Sequence, residues 1–331
     1  VVEKISAPIL VITDHTGNID EGFVLTEPSK QLLTLAGSLT SGRIDAIALN
    51  PAPQVSELGK YGVARVFTPD LEGFSPRVAA VVTDAAFEVA RQEAQYAAVL
   101  NVSNYRGREV AAALAVRLGS GAVVDVTSCG IVDGQIEAQK SVLAGTWSTK
   151  FKVTRGTPVI GLRPSAVEAQ EVGTATEPEI VPIKVAYSQP AVGVKVVDSI
   201  EEGGQGRVSL TEAPIVVCGG RGTDGDFSLV NELADALDAA VGSTRVAADE
   251  GWIDRSTQIG QTGVSVAPNL YIGLGVSGAV HHACGIQASR HIVAVCDDPD
   301  APIFEIADFG VVGDINEVVP EALAALRQKG L

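Results

Sequence analysis

Two histidines, His281 and His282, lie side by side in a glycine-rich segment, GLGVSGAVHHACG, that spans residues 273–285. If Ser277 caps a helix that starts in this segment, both histidines fall in its first turn and a half. Adjacent helix positions point about 100° apart, so the pair does not suit one shared metal ion. A histidine beside a glycine-rich loop at the start of a helix is well placed to donate a hydrogen bond to a cofactor, although a packed or solvated histidine is the commoner case.

Two glycine-rich loops match the G-x-G-x-x-G pattern of dinucleotide-binding folds. Both Gly220–Gly225 and Gly273–Gly278 follow an apolar run and precede a helical pattern, with acidic residues about 20 to 24 positions further on. Either loop alone is also consistent with a tight strand-to-helix turn. Two such loops close together favour one extended, phosphate-bearing cofactor that is held from several sides.

The segment between these loops, residues 241–263, places polar side chains where exposed backbone lets a ligand approach closely. Together with the first glycine loop, it contributes Arg221, Arg245, Gln258, Gln261 and Thr262. The helix N-termini that follow the glycine loops present free N–H groups and a positive dipole end, which suit a pyrophosphate or an electron-rich ring edge. Ordinary solvated loop residues are the alternative interpretation.

Composition and charge limit the classes of protein and partner. The chain has 331 residues, 46% of them hydrophobic, enough for two domains with separate cores. Its formal net charge of −16 is scattered along the chain, which argues against nucleic acid or an anionic membrane surface as a partner. No apolar run approaches the roughly 20 residues that span a bilayer, so we expect no stable membrane insertion.

Cysteine spacing and the first residues bear on metal binding and location. The four cysteines show no CxxC pairing, so we expect reduced thiols and neither a disulfide framework nor a metal site. The first residues lack the layout of a signal peptide and the bias of a transit peptide. We expect a cytoplasmic protein in a bacterium, or a mitochondrial matrix protein if the chain is a processed eukaryotic one.

The N-terminal half alternates short apolar runs with amphipathic segments. Strands are predicted over 8–14, 44–50, 64–70, 97–103 and 121–127, and helices over 75–94 and 105–119. This alternation is typical of βαβ units on a parallel sheet. From about residue 130 the pattern changes to further strands at 142–154, 157–164, 179–187 and 192–199, with an exposed loop over 163–179.

Residues 198–214 combine glycine, acidic residues and a proline, and are the best linker candidate. We place the boundary there, with one domain over 1–205 and the other over 206–331. The second domain has predicted strands at 215–220, 270–275 and 291–296, and predicted helices over 227–242, from 277 and over 315–330. The expected fold is α/β in two domains: a parallel-sheet domain with added β strands, then a Rossmann-like domain.

Four segments, taken in order, resemble the alpha subunit of the electron transfer flavoproteins: CGGRGTDGDFSLVNELADALDAAVGSTRVAADEGW, QIGQTG, LYIGLGVSGAVHH and DPDAPIFEIADFGVVGDINEVVPE. The likeness runs across nearly all of 214–325, and its order and spacing are far more specific than either glycine pattern. The N-terminal half, including NVSNYRGREVAAALAVRLGSGAVVDV, also resembles the first domain of that family.

The resemblance implies a heterodimer in which this chain binds FAD in its C-terminal domain. The N-terminal domain is expected to contact a beta subunit, which would itself carry AMP. The implied role is that of an electron carrier without substrate chemistry of its own. It would accept electrons from acyl-CoA dehydrogenases and similar flavoproteins, as in fatty acid beta-oxidation, and pass them to a quinone oxidoreductase.

The resemblance also implies roles for individual residues at the FAD. Arg221 would lie against the phosphate and flavin region, and Arg245 would lie over the flavin ring. Thr262 would reach N5, His282 would lie near O2, and Asp314 would contact the adenosine end. Arg245, Thr262 and His282 would tune the flavin. The implied cofactor-binding set is Arg221, Thr244, Arg245, Gln258, Ile259, Gly260, Gln261, Thr262, Ser277, Gly278, Ala279, Val280, His281, His282, Cys296, Asp314 and Ile315.

Three positions depart from the family pattern. Thr244 stands where serine is usual, His281 replaces a glutamine, and Cys296 replaces an asparagine. The last two changes alter hydrogen-bonding capacity beside the cofactor. We still expect the chain to bind FAD, and we expect these two changes to affect the affinity for FAD and its redox potential.

Other functions remain open at this point. An NAD(P)-dependent dehydrogenase would use Gly273–Gly278 together with Asp297. An electron-bifurcating member of the same family would carry a second FAD in its partner, and a binding module without redox activity would carry none. No convincing Ser/His/Asp or Cys/His triad is present.

Overall fold

The computed structural model describes residues 3–19, 22–92, 96–142, 147–198, 208–211 and 213–329. The chain divides into two compact units, Val1–Ile200 and Glu201–Leu331. The predicted boundary between residues 205 and 206 lies outside the described residues and stays a prediction. The α/β fold class is confirmed, because each unit is built on its own parallel sheet.

The N-terminal unit is organised around a seven-stranded parallel sheet. The strands of the whole unit, including those of its two smaller sheets, are β1 Ile9–Thr13, β2 His15–Asn18, β3 Gly22–Leu25, β4 Ile44–Ala48, β5 Val63–Pro69, β6 Ala98–Val102, β7 Ala122–Val126, β8 Ser128–Val132, β9 Gln135–Val142, β10 Trp147–Lys152, β11 Val159–Leu162 and β12 Glu179–Ile183. The sheet order is β12-β5-β4-β1-β6-β11-β7, and all these pairings are parallel. The five strands predicted in the first half are confirmed, since they correspond to β1, β4, β5, β6 and β7.

Helices cover both faces of this sheet. They are α1 Glu27–Leu39, α2 Val55–Gly59, α3 Ala79–Gln92, α4 Tyr105–Arg117 and α5 Gln189–Val192. Alternate residues of β1 enter different cores: Ile9 and Val11 pack with leucines of α1, while Leu10 packs with α3 and α4. Burial on both faces explains why the parallel strands are continuous apolar runs. The helices predicted over 75–94 and 105–119 are confirmed as α3 and α4.

Two smaller antiparallel sheets complete the unit: β2 pairs with β3, and β8, β9 and β10 form a three-stranded sheet. Of the later predicted strands, 157–164 and 179–187 contain β11 and β12. The strand predicted over 192–199 is wrong, because residues 193–198 form none. Val197 there is 90% exposed, so its apolar side chain has no buried face to join.

The C-terminal unit contains a five-stranded parallel sheet of order β14-β13-β15-β16-β17. Its strands are β13 Ile215–Gly219, β14 Ala240–Ser243, β15 Leu270–Leu274, β16 His291–Cys296 and β17 Phe309–Val312. Its helices are α6 Ser228–Ala236, α7 Arg245–Asp249, α8 Val280–Ile286 and α9 Ile315–Gln328. The chain first continues from β13 to β14 on one side and then crosses to β15 on the other. The switch point therefore lies between β13 and β15.

Two predicted helix boundaries in this unit are wrong. The helix expected over 227–242 ends at Ala236, because Asp238 adopts a left-handed backbone conformation with φ 51°. The apolar residues that follow form β14 beside β13 instead. The helix expected to be capped by Ser277 starts only at Val280, after Ala279, and has no side-chain cap.

The two faces of this sheet are covered differently. One face packs against α6 and α9 through side chains such as Val230, Leu233 and Val319. The other face is covered by α8 and by loop residues that include Ile259 and Ile303. Loops rather than long helices therefore surround the carboxyl ends of the strands on this side. No helix in the described part of the chain combines the length and apolar character needed to cross a membrane.

Candidate functional site

An open cavity lies at the carboxyl ends of β13, β14 and β15, at the switch point of the C-terminal sheet. Its volume of about 180 Å³ is more than ten times the roughly 10–15 Å³ that one water molecule requires, so it is of ligand size. We call it the switch-point cavity. Its lining residues are Arg221, Thr244, Arg245, Val246, Gln258, Ile259, Gly260, Gln261, Thr262, Val276, Ser277, Gly278, Ala279, His281 and His282.

The two glycine-rich loops pack directly against each other at the base of this cavity. The backbone N–H of Gly222 donates to the carbonyl of Gly275 over 3.0 Å. A Cβ at Gly275, whose φ is +62°, would lie 2.7 Å from the Cα of Gly222. These glycines are needed for the close approach of two backbones. The contact brings Arg221 and Ser277, one from each loop, to the same cavity.

The first residues of α7 form one wall. Arg245 is 66% exposed on its side chain, and its Nε donates to Asp249 Oδ2 over 3.0 Å on the same short helix. The Thr244 hydroxyl oxygen, just before α7, is buried and has no hydrogen-bond partner among the described residues. This wall therefore offers a cation and an unused hydroxyl to a ligand.

The loop at residues 258–262 forms a second wall. Gln258 is 1% exposed, and its Nε2 donates to the Thr262 hydroxyl over 2.9 Å. Its Oε1 is buried without a partner in the described structure. A Cβ at Gly260 would lie 2.8 Å from the His281 carbonyl oxygen, so the loop can pack closely on α8 only with glycine there. The result is a buried amide acceptor beside the cavity.

His282 lines the cavity as a neutral, buried side chain. It is 6% exposed, and burial lowers its pKa to about 4 against the small opposing effect of a hydrogen bond to Ile259. Its Nδ1 lies 3.1 Å from the Ile259 carbonyl oxygen, and its Nε2 lies 2.7 Å from the Tyr271 hydroxyl. Both ring nitrogens are thus engaged within the protein. His281, in contrast, is exposed at the cavity edge.

Four residues of the expected set lie outside the cavity lining: Val280, Cys296, Asp314 and Ile315. Cys296 ends β16 and is 6% exposed, while Asp314 caps α9 by accepting from the backbone N–H of Asn316. The side chain of Ile315 is buried in the core, so only its backbone can meet a ligand. Cys296, Asp314 and Ile315 nevertheless lie at the same edge of the sheet as the cavity.

Three residues of the site were missed in the sequence. Val246 and Val276 line the cavity, but valine is common in both strands and helices and gives no functional signal. Tyr271 lies behind His282, and a lone tyrosine in the aliphatic strand β15 was the available hint. Among the described residues, no group of three or more His, Cys, Asp or Glu side chains could hold a metal ion.

Two models of known protein families match this chain. The family model described as "Electron transfer flavoprotein FAD-binding domain" matches residues 209–287, and the model described as "Electron transfer flavoprotein domain" matches residues 11–188.

Relatives cover nearly the full chain. The electron transfer flavoprotein subunit alpha of Mycobacterium leprae is 39% identical over an alignment of 333 positions. The alignment covers 98% of this chain and 99% of the relative. The Bacillus subtilis subunit alpha is 33% identical, covering 86% and 88% of the two chains. A probable mitochondrial subunit alpha of Caenorhabditis elegans is 35% identical, covering 85% and 82%. The chain belongs to the electron transfer flavoprotein alpha subunit family.

Proposed function

We propose that the switch-point cavity holds the FAD of an electron carrier that has no substrate reaction of its own. One observation carries the proposal: the cavity combines two arginines with two buried polar atoms that lack partners in the described structure, next to a switch point. All of its lining residues fall within the range that matches the FAD-binding family model. Phosphates and the polar edge of a flavin ring suit such a lining.

The unpartnered atoms fit the hydrogen-bonding groups of this cofactor. A flavin ring presents carbonyl acceptors and an N–H donor. Gln258 Oε1 is an acceptor for such an N–H, and the Thr244 hydroxyl can donate to a carbonyl or a phosphate. A buried polar group without a partner costs about 1–3 kcal/mol, so a ligand that satisfies both atoms gains affinity from them.

Arg245 is the side chain that supplies positive charge near the flavin ring in this proposal. Its ion pair with Asp249 is exposed, and exposed pairs are worth about 0–1 kcal/mol. Little free energy therefore holds the guanidinium on its own helix, and an electron-rich ligand can attract it. His282 does not supply this charge, because its lowered pKa keeps it neutral at pH 7.

When bound, FAD supplies the electron-transfer chemistry. The chain's residues bind and orient it. Arg221 and Ser277 would approach the phosphates, and the 258–262 loop would approach the ring. We also propose that Val280 at the start of α8 contacts the cofactor, and that the residues at the same sheet edge extend the contact toward the adenosine end: Cys296, Asp314 and Ile315.

Partners and location follow from the same proposal. The relatives are named as alpha subunits, which implies a beta subunit. We propose that the N-terminal domain, with its boundary near residue 206, contacts that subunit and that AMP binds in the beta subunit. Acyl-CoA dehydrogenases would donate electrons and a quinone oxidoreductase would accept them, in the bacterial cytoplasm or the mitochondrial matrix.

The glycine geometry gives no support to an NAD(P)-dependent dehydrogenase. In a dinucleotide fingerprint the second glycine lets the backbone approach the pyrophosphate. Here that position is Gly275, where a Cβ would lie 2.7 Å from the Cα of Gly222. The second glycine is thus required by the other glycine loop of the protein itself.

The proposal is tested by the absorption spectrum and flavin content of the chain coexpressed with its beta subunit. We expect a flavin spectrum, one FAD per heterodimer, and no binding of NADH by calorimetry. A colourless heterodimer that takes up no added FAD would contradict the proposal. Two FAD molecules per heterodimer would identify the electron-bifurcating role instead.

A further inference from the structure

The strongest unassigned contact at the site is made by Tyr271, a residue of β15 that no solvent reaches. Its side chain is 0% exposed, and its hydroxyl oxygen lies 2.7 Å from Nε2 of His282. The two ring centroids are 6.0 Å apart. The tyrosine is therefore behind the cavity wall, in contact with the imidazole rather than with the cavity itself.

The direction of the hydrogen bonds follows from the chemistry of the partners. The carbonyl oxygen of Ile259 can only accept, so Nδ1 of His282 must carry the proton in that contact. A neutral imidazole has a single N–H, so Nε2 has none and can only accept. The Tyr271 hydroxyl is consequently the donor to Nε2.

A second neighbour, Cys218, does not change this direction. Its thiol interacts with the Tyr271 hydroxyl, but sulfur is a weaker acceptor than an imidazole nitrogen. Burial raises the pKa of Cys218 to about 12 and raises that of Tyr271 above its ordinary value. Both groups keep their protons at neutral pH, so Tyr271 has a proton to donate.

The surrounding backbone leaves space for this contact. Gly273 lies two residues after Tyr271 on the same strand, and a Cβ there would lie 3.4 Å from the hydroxyl oxygen and 3.2 Å from the ring. A Cβ at Gly285 of α8 would lie 2.6 Å from the Cα of Gly260. The close packing of α8 on the 258–262 loop brings His282 within reach of the Ile259 carbonyl.

We propose that Tyr271 is a positioning residue of the FAD site, whose hydroxyl holds His282 as the Nδ1–H tautomer and so ties α8 to the 258–262 loop. The inference rests on the proposed function for its effect on FAD. With the hydroxyl present, the imidazole offers no N–H to the cavity. Without it, Nε2 has no donor, and the tautomer with its proton on Nε2, which cannot donate to the Ile259 carbonyl, becomes accessible.

The first test is ¹⁵N NMR of the imidazole nitrogens in the full chain at pH 7, which needs no flavin. The wild type is expected to show protonated Nδ1 and unprotonated Nε2 for His282. Loss of one hydrogen bond to the ring in Tyr271→Phe should shift the tautomer ratio toward Nε2–H by roughly tenfold. An unchanged ratio would overturn the proposal. If the variant does not fold, the spectrum of the wild type still tests the proposal, because a protonated Nε2 of His282 in the wild type would overturn the proposal as well.

The second test measures the flavin midpoint potential of the heterodimer with FAD bound. Tyr271→Phe should shift the potential, and the same change in a His282→Leu background should produce little further shift. An equal shift in both backgrounds would mean that Tyr271 acts without His282, and would overturn the proposal.

A matched control comes from the N-terminal unit. Tyr96 is also buried, and its hydroxyl donates to Asp45 Oδ2 over 2.6 Å. Tyr96→Phe loses a comparable buried hydroxyl but should change neither the His282 tautomer nor the potential. If the wild-type heterodimer binds no flavin, the proposed function fails, while the NMR measurement still decides the role of Tyr271.

Discussion

The two units of this protein carry the same kind of sheet edge, but side chains fill this edge in the N-terminal unit, whereas it opens into a cavity in the C-terminal unit. Each parallel sheet has a switch point, at β1 and β6 in the N-terminal unit and at β13 and β15 in the C-terminal unit. The first edge holds a gap of about 10 Å³, the size of a single water, and the second a cavity of about 180 Å³. Sheet topology alone therefore does not make a ligand site.

Side chains fill the first edge. Arg106, in the first turn of α4, pairs with the carboxylate of Asp14, which follows β1, and donates to the Pro76 carbonyl over 2.8 Å. In the C-terminal unit the corresponding turns carry Gly220, Gly222 and Gly275, whose backbones pack against each other and which place no side chain at the edge. The difference teaches that the residues after the central strands decide whether a switch point is open or closed.

The largest effect is expected from a side chain at Gly275, where the two glycine loops are in contact. Gly275→Ala combines an unfavourable positive φ with a Cβ 2.7 Å from Gly222 Cα, and together these should cost about 4 kcal/mol of unfolding free energy. Urea unfolding and FAD retention should both show the loss. Gly251→Ala is the matched control, because its φ is +74° but nothing lies within 4 Å of a Cβ there, so only about 1 kcal/mol should be lost. Equal losses would mean that the contact between the glycine loops is unimportant.

A second difference is the burial of a histidine at each edge: His282 at the open edge is almost fully buried, whereas His15, beside Asp14 at the first edge, is only half-buried, although burial lowers its pKa as well. Between the ordinary pKa of 6.5 and the folded value of about 4, unfolded chains bind a proton at His282 that folded chains do not. The contribution of His282 to the free energy of unfolding should therefore be fully retained above pH 6.5 and fall as the pH drops toward 4, by at most about 1.4 kcal/mol per pH unit.

Urea unfolding at several pH values measures this slope. The variant His282→Gln lacks the titrating group and should show a flatter dependence across the same window. Identical slopes for the two proteins would show that His282 does not bind its proton differently in the folded and unfolded chains.

Arginines at the two edges should have separable effects. Arg245→Ala removes an exposed ion pair worth about 0–1 kcal/mol, so stability should hardly change while FAD binds about tenfold more weakly. Arg106→Ala removes partly buried, charge-assisted hydrogen bonds, so it should cost about 2 kcal/mol of stability and leave FAD affinity unchanged. Calorimetric FAD titration and urea unfolding of both variants measure this. Weaker FAD binding in Arg106→Ala would contradict the prediction that only the open edge binds the cofactor.

The smallest effect is expected at the exposed rim of the open edge. His281→Gln restores the residue usual in the family and should tighten FAD retention by about twofold to threefold, because an exposed contact contributes only a few tenths of a kcal/mol. Cys296→Asn restores a second family residue but places an amide at a 6% exposed position, so it should lower stability. FAD dissociation rates and thermal unfolding distinguish the two. Weaker retention in His281→Gln would contradict this prediction.

Much of the fold was predictable from local sequence. The central strands β1, β4, β6, β13 and β15 are short apolar runs between turn residues, and burial on both faces of a parallel sheet produces that pattern. The predicted site residues also gather as expected: apart from Val246 and Val276, every lining residue of the switch-point cavity belongs to the predicted set. That these residues bind FAD stays a prediction.

The errors have identifiable physical causes. The run after Asp238 reads as the end of a helix because alanine and valine fit helix and strand alike, and only pairing with β13 makes it β14. The run at 193–198 reads as a strand, but it pairs with none of the described strands. The position of Ser277 suggested a cap, whereas the helix starts three residues later.

Sequence alone was sufficient for the α/β class, the family resemblance and the residue types around the cavity, because buried strands, glycine turns and ordered motifs are local properties of the chain. Three-dimensional contacts decided the rest. They placed Arg245 on Asp249 and left the Gln258 oxygen without a partner in the described structure. They also brought Tyr271 to His282, eleven residues away and in a different element, and buried a histidine that the sequence presents only as a possible donor, so that its lowered pKa keeps it neutral. Burial and hydrogen-bond direction depend on which distant residues meet, and local sequence does not specify them.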